Sequence, residues 1–475
     1  MAKYMVMNVE RGIFMSMGAL VVFSSDLRFQ SDGKVKQFVE NCSAAFTTLF
    51  LDGELVVAVK ECEEEKKSYE TIRMTAGAIA RELCNRKVEK AVIQVEDLAK
   101  EFSNLDAGKS VAAFVEGWHL GSYKFITYKS EECAFKTELQ VRGGADVKSS
   151  IEAGQIRAAA AAFSRDLMNE VPNVLNPETF PAMLTEEFAG TDVKVNVFHK
   201  EKLEELEMNG VLTVGRGSKY KPAFVELVYQ TDGSKPLVAL VGKGVTFDTG
   251  GISLKSGRDL SDMRMDMGGA AAVAGAVKLL SAIQAKVNVV ALIPIVENSP
   301  DNTSVLPGEI IRYKNGKTVQ VGNTDAEGRL ILADGLIRAS EWNAQYVVDI
   351  ATLTGAIHNA LGSKIAGVFG DEQLSFEMKQ IGRENGDFIW PMPLVDEYEK
   401  YLKSDYADFC NISSKGEAGS ITAGLFLRRF VPESCRWLHV DMAGVMESEE
   451  TGYYPKSATG FGARLLADYV TYVSK

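Results

Sequence analysis

The sequence predicts an α/β protein of two domains, a smaller N-terminal α/β domain and a C-terminal α/β/α sandwich around a central mixed sheet. Three observations predict it. At 475 residues the chain is longer than one hydrophobic core usually organises. Apolar, Val- and Leu-rich runs of strand length alternate with stretches of helical spacing in two separate regions. Between the regions, Pro172, Pro177 and Pro181 punctuate the chain, which stops a helix and marks a junction. The domains expected are 1–150, a connecting helix and linker over 151–180, and 181–475.

In the first region Ala19–Phe23, Leu55–Val59 and Ala91–Val95 read as buried strands. Between the last two lies Tyr69–Lys87, with Ile72, Ala76, Ile79, Ala80 and Leu83 on one helical face. Strand, helix, strand is a crossover unit and calls for a parallel or mixed sheet. The charge run Lys60–Lys67 reads as a solvated turn or helix start. Ile151–Glu170 reads as one alanine-rich helix. In the second region strands are expected at Lys194–Phe198, Pro236–Val241, Val287–Ile293, Tyr346–Ile350 and Trp437–Val440. Helices are expected at Asp266–Ile283, Leu330–Glu341 and Gly460–Val473.

Bulk properties exclude several classes of function. No stretch approaches the roughly 20 continuous apolar residues of a membrane span. The opening MAKYMVMNVERGIFMSMG contains Glu10 and no small-residue cleavage pattern, so no signal peptide is expected. The cysteines at 42, 62, 84, 133, 410 and 435 are widely spaced and form no CxxC pair, which fits a reducing, cytoplasmic setting. A net charge of −12 offers no obvious electrostatic footprint for nucleic acid and leaves open only a local patch. There is no Walker A sequence, no GxGxxG after a strand and no GxSxG elbow.

Unusual residues concentrate at strand ends in the second region. The strand Pro236–Val241 runs into Lys243-Gly-Val-Thr-Phe-Asp248-Thr-Gly-Gly, with Lys255 seven residues after Asp248. Ligand sites of open α/β sheets gather beyond the carboxyl ends of strands. Asp266 follows at the mouth of a helix, where a plain N-cap is the competing reading. In Asn323-Thr-Asp325-Ala-Glu327-Gly-Arg329-Leu330 the three charged residues alternate, so an extended segment would point them to one face. An ordinary ion-pair cluster capping a helix competes here. Charge arithmetic separates the readings. Asp248, Asp266, Asp325 and Glu327, if they converge unpaired, would be driven to protonate. Two divalent cations neutralise them, which makes a dinuclear hydrolytic site the natural hypothesis. His119, His199, His358 and His439 are scattered, without HExxH spacing, and read as packed or hydrogen-bonded residues.

The octet Asn323–Leu330 is identical to the signature of the leucine aminopeptidase, or cytosol aminopeptidase, family. Val241–Lys255 and Met265–Ala271 resemble its two other metal-binding segments. Arg165–Asn169 with Pro172-Asn173, Gly215–Ser218 and Trp437–Gly444 resemble further family segments. The resemblance is specific over roughly residues 150–475 and weak before them. It implies an exopeptidase that removes the first residue of peptides, Leu- or Met-like residues preferred, with two Mn²⁺ or Zn²⁺ ions per subunit. By resemblance Lys243, Asp248, Asp266 and Glu327 hold the tighter ion, and Asp248, Asp325 and Glu327 the more exchangeable one. Lys243 must then coordinate as a neutral amine, its pKa depressed by the neighbouring ions. Lys255 and Arg329 are the implied catalytic pair, the first as electrophile for the scissile carbonyl and the second as holder of a bicarbonate base. The implied substrate contacts are Met263, Asn323, Ala326, Thr352, Leu353, Gly355, Ala443 and Met446. The resemblance also implies a homohexamer. Other readings kept open are a different two-metal hydrolase and, as a second activity, a DNA-binding regulatory hexamer.

Overall fold

The structure, a computed structural model, describes residues 18–23, 33–51, 53–130, 134–144, 147–257 and 259–475. The opening segment on which the signal-peptide expectation rests, and Cys133, lie outside these residues. The chain forms two compact units: Met1–Ala159 with Ser448–Ser457, and Ala160–Glu447 with Ala458–Lys475.

The first unit is built on a five-stranded sheet of β1 (Gly18–Phe23), β2 (Phe46–Leu51), β3 (Glu54–Val59), β4 (Lys90–Gln94) and β5 (Glu138–Arg142), in the order β2-β3-β1-β4-β5. β1 runs parallel to β3 and β4, as the crossover pattern requires, and β2 closes an antiparallel hairpin on β3. Helix Tyr69–Asn85 starts at Ser68, whose side chain accepts the Thr71 N–H. It buries the predicted apolar stripe. The helix stops two residues earlier than expected because Lys87 takes a positive φ. Val95, expected in a strand, opens the helix Val95–Glu101 instead. The charge run contains only a short 3₁₀ turn, Glu64–Lys66, with no buried residue.

The second unit contains a nine-stranded mixed sheet. Its strands, interleaved along the chain with those of a small sheet, are β6 (Lys194–Phe198), β7 (Ala223–Gln230), β8 (Leu237–Gly242), β9 (Gly244–Asp248), β10 (Asn288–Asn298), β11 (Ile310–Arg312), β12 (Thr318–Gln320), β13 (Tyr346–Ala351), β14 (Ala366–Gly370), β15 (Ile389–Pro391), β16 (Phe409–Cys410) and β17 (Arg436–Asp441). The large sheet runs β15-β14-β17-β13-β8-β10-β7-β6, with β9 pairing the far end of β10; β11, β12 and β16 make the small sheet. β8, β9, β10, β13 and β17 are mutually parallel, so their carboxyl ends open on one side. They are buried on both faces, which is why β8, β10, β13 and β17 read as continuous apolar runs.

Helices Gly268–Ala282 and Glu327–Glu341 both pack on the central strands β8, β10 and β13. Val241 of β8 joins the core made with Leu330, Ala333 and Leu336 of the second helix. Among the described residues no helix is long and apolar enough to cross a membrane.

Two local expectations are corrected. Segment 323–329 is not extended: Asn323–Asp325 form a turn and Glu327 is already the first residue of a helix. Strand-like alternation therefore does not gather its charged residues. Asp266 lies in a 3₁₀ turn, Ser261–Met267, ahead of the helix Gly268–Ala282, and does not cap it.

Candidate metal centre

Five chain segments deliver charged side chains to the open carboxyl ends of the central strands. Lys243 follows β8 and Asp248 ends β9. Lys255 sits in the loop after it, tied back by its N–H to the Thr249 carbonyl (2.9 Å). Asp266 comes from the 3₁₀ turn, and Asp325 with Glu327 from the turn-to-helix segment.

These side chains form one cluster. Lys243 Nζ stands 2.7 Å from Asp266 Oδ2 and 3.0 Å from Glu327 Oε1, and donates to the Thr352 carbonyl at 3.0 Å. Lys255 Nζ bridges Asp248 Oδ2 (2.7 Å) and Asp325 Oδ1 (2.5 Å). The Thr352 hydroxyl donates to Asp266 Oδ1 at 2.7 Å. Carboxylate oxygens of Asp248, Asp325 and Glu327 lie within 4.8 Å of one another. Gly328 makes the close approach possible: a Cβ there would lie 2.6 Å from Lys243 Cε.

Burial sets the electrostatics. Lys243, Asp248, Asp266 and Glu327 are each 5% exposed or less. Burial and then the Asp248 charge push the Glu327 carboxyl up to about 8, against the pull of Lys243. Burial, opposed by Lys243, takes Asp266 up to about 6. Burial and Asp248 also raise Asp325. For Lys243 burial alone would lower the pKa, but Asp266, Glu327 and Asp248 outweigh it and hold the ammonium above its ordinary range. Lys255 is raised in the same way, burial being overcome by Asp248 and Asp325. Glu327 Oε2 is buried with no hydrogen-bond partner among the described residues. An orphaned carboxylate oxygen among converging carboxylates suits a hard or borderline divalent cation, so the residues fit a metal centre.

Arg329 points elsewhere. Its Nη1 donates to the Asn411 carbonyl at 2.8 Å, and its guanidinium carbon lies 6.0 Å from the centre of the Phe426 ring. Its Nε is buried and unpartnered among the described residues. Burial lowers its pKa to about 10, opposed by Glu327 and Asp441, which leaves it charged at neutral pH. A buried, partly unsatisfied guanidinium fits a small planar anion.

Residues 162–467 match the catalytic domain of the cytosol aminopeptidase family, and residues 61–132 match its N-terminal domain. This chain belongs to the cytosol aminopeptidase family. As a member it is a metal-dependent aminopeptidase. A probable cytosol aminopeptidase of Chlorobium limicola is 40% identical over 85% of this chain and 84% of its own length. One of Aquifex aeolicus is 37% identical over 90% and 86%. Among solved structures, the bottromycin maturation enzyme BotP in complex with Mn superposes with a TM-score of 0.87 at 29% identity, covering 97% of this chain and 100% of that one.

The substrate residues read from the family signature are placed as follows. Thr352 touches both Lys243 and Asp266. Asn323 spends its side-chain oxygen on the Asp325 N–H (2.8 Å), so it shapes the turn. The Ala326 carbonyl accepts from Asn411 Nδ2 at 3.3 Å. Leu353 and Ala443 both donate their N–H groups to Asp441 Oδ1, at 3.2 and 3.3 Å. Gly355 opens the helix Gly355–Leu361, Met263 is buried in the 3₁₀ turn, and Met446 is half-buried beyond β17. A surface cavity of about 950 Å³ between Gly370–Phe376, Pro391–Leu394 and Arg428–Trp437 includes none of them.

Three polar residues of the family member escaped the sequence reading. Asn411 clasps the signature turn, its Oδ1 accepting the Gly322 N–H (2.7 Å) and its Nδ2 donating to the Asn323 carbonyl (2.7 Å). Asp441, fully buried, accepts the Thr354 hydroxyl (2.6 Å) and three N–H groups. Asn298 donates to Asp248 (2.8 Å). Only Asp441 left any trace in the sequence, a carboxylate at the end of an apolar strand. His439 is buried and bonded to Asp349 at 2.5 Å, as a packed histidine should be.

Proposed function

We propose that the chain hydrolyses the first peptide bond of peptides with a free amino end, preferring Leu- or Met-like first residues, in the cytoplasm and as a homohexamer. The chemistry is assigned to residues 181–475, joined through 151–180 to an N-terminal domain of 1–150. The reading rests on one observation: carboxylate oxygens of Asp248, Asp325 and Glu327 converge within 4.8 Å of one another, and the buried Glu327 Oε2 has no hydrogen-bond partner among the described residues.

Lys243, Asp248, Asp266 and Glu327 would hold one divalent ion, and Asp248, Asp325 and Glu327 the other, with Mn²⁺ or Zn²⁺ suited to the donors. Mn in the BotP structure supports that choice. When bound, the ions supply Lewis acidity and a water nucleophile at neutral pH, and bicarbonate supplies a proton acceptor. Loading requires Lys243 Nζ to give up its proton, since only the neutral amine has a lone pair. Lys255 keeps its proton and, turned toward the scissile carbonyl, stabilises the oxyanion as charge develops. Arg329 would hold the bicarbonate through its Nε, which has no acceptor among the described residues. The substrate's free α-amine and first carbonyl are adjacent donors matched to a cation pair, which confines cleavage to the first bond. Met263, Ala326, Thr352, Gly355, Ala443 and Met446 would line the pocket for the leading side chain, with Asn323 and Leu353 as further substrate contacts.

Chelation followed by metal add-back tests the reading on leucine and methionine amides, with a phosphate monoester as control. Activity on the amides is lost with chelator and returns with Mn²⁺, Zn²⁺ or Co²⁺. Return of phosphatase activity alone would assign the site to a different two-metal hydrolase.

A further inference from the structure

We propose that Asn298 is a positioning residue for the divalent-ion site, its side-chain amide locking Asp248 and Asp325 into one register so that both face the same ion. The inference rests on the metal reading of the acidic cluster. Asn298 ends β10 directly opposite Asp248 of β9, and it is 2% exposed. Both hydrogens of its amide are committed: Nδ2 donates to Asp248 Oδ1 at 2.8 Å and to the Thr324 carbonyl at 3.0 Å.

Each bond bears on a ligand. Asp248 Oδ1 also accepts the Gly250 N–H (2.9 Å), so this oxygen is taken and Oδ2 is the one turned to Lys255 and the cluster. The Thr324 carbonyl belongs to the peptide unit whose N–H is that of Asp325, and Asn323 Oδ1 holds that N–H at 2.8 Å. The peptide carrying Asp325 is therefore gripped on both sides, with Asn298 supplying one grip. The Asn298 backbone carbonyl adds a third tie, accepting the Thr249 N–H (3.0 Å) and hydroxyl (2.8 Å).

The amide has one workable orientation. Flipped, its oxygen would face Asp248 Oδ1 and the Thr324 carbonyl, acceptor against acceptor. Gly251 roofs it, since a Cβ there would fall 2.7 Å from Asn298 Oδ1. Aspartate at this position would have the same shape but no donors, and would add a fifth carboxylate. Partners that orient metal ligands typically change affinity by about 10–100-fold when lost.

The test is a Mn²⁺ titration of the full chain, by calorimetry and by electron paramagnetic resonance, for wild type, N298D and N298A, with circular dichroism melts in chelator. Wild type is expected to bind two ions. Both variants should melt cooperatively and bind the weaker ion about 10–100-fold less tightly, with activity recovered at high Mn²⁺ and KM for a leucine amide unchanged. Wild-type affinity in both variants overturns the proposal, as does failure of both to fold, which would make the residue purely structural. If only N298A fails to fold, the isosteric N298D decides. Wild type that binds no Mn²⁺ sinks the metal reading itself, a separate outcome.

Discussion

Glu327 and Lys255 sit in the same cluster yet have opposite tasks, and single substitutions separate them. Under the proposed assignment Glu327 would serve both ions, so E327A is expected to lose bound metal. K255A should keep the metal, because it removes an ammonium that pairs with Asp248 and Asp325, and should lower kcat by about 10²–10³-fold. Metal analysis alongside steady-state rates checks both; equal metal loss would contradict the division. For R329A a kcat loss of about 10²-fold is expected, with activity that no longer rises when bicarbonate is added. Proton competition gives the pH dependence. In the metal-free site Glu327 is raised to about 8 and Asp266 to about 6, and Lys243 is held protonated. A divalent ion must displace these protons, so its apparent affinity falls as pH drops from about 8 to 6. A Mn²⁺ titration that is flat across that window would refute the assignment. At this scale the charged residues of the cluster were legible because Lys, Asp and Glu beside glycines at strand ends are conspicuous. Asn298 and Asn411 were not, since an amide has no charge to betray it and its partners lie 50 and about 90 residues away in sequence.

The elements decide how the charged residues meet. The signature segment does its work as a turn followed by a helix: the turn presents Asp325, the first helical position presents Glu327, and Arg329 is carried round toward Asn411. Alternation along the sequence would have aimed all three together, which the helical rise prevents. Gly328 lies where that helix meets Lys243, and G328A tests the contact. Alanine would favour the helix by about 1 kcal/mol, yet its methyl would press on a buried lysine that three partners pin. Overpacking of about 1–3 kcal/mol should win, so denaturant unfolding is expected to show a net loss and metal titration a weaker site. Unchanged stability and affinity would mean that Lys243 moves aside freely. Most central strands were legible as apolar runs. β9 was hidden in a glycine-rich stretch, because its pairing with β10 is a tertiary fact.

For the whole molecule, the cluster ties segments from residue 243 to residue 352 by ion pairs and hydrogen bonds. Filling it should stabilise the fold through mass action. At about 1,000 times its dissociation constant, an ion that binds only the folded chain adds about 4 kcal/mol. Thermal melts with chelator and with excess Mn²⁺ are expected to differ accordingly, and E327A should melt alike in both. A wild-type midpoint indifferent to Mn²⁺ would show that the ions do not bind the folded site.

By itself the sequence determined the α/β class, the order of the main strands, and which charged residues carry the family signature. Those properties depend on local periodicity and on residue types that have few other uses. Tertiary structure alone decided that five strands end on the same side, that two ammoniums stand among the four carboxylates, and that amides and Asp441 hold the loops in place. Such facts arise from pairing across long stretches of chain, where burial turns ordinary carboxyls into groups that resist ionisation. Most of these partners lie too far apart for one window of sequence to hold both.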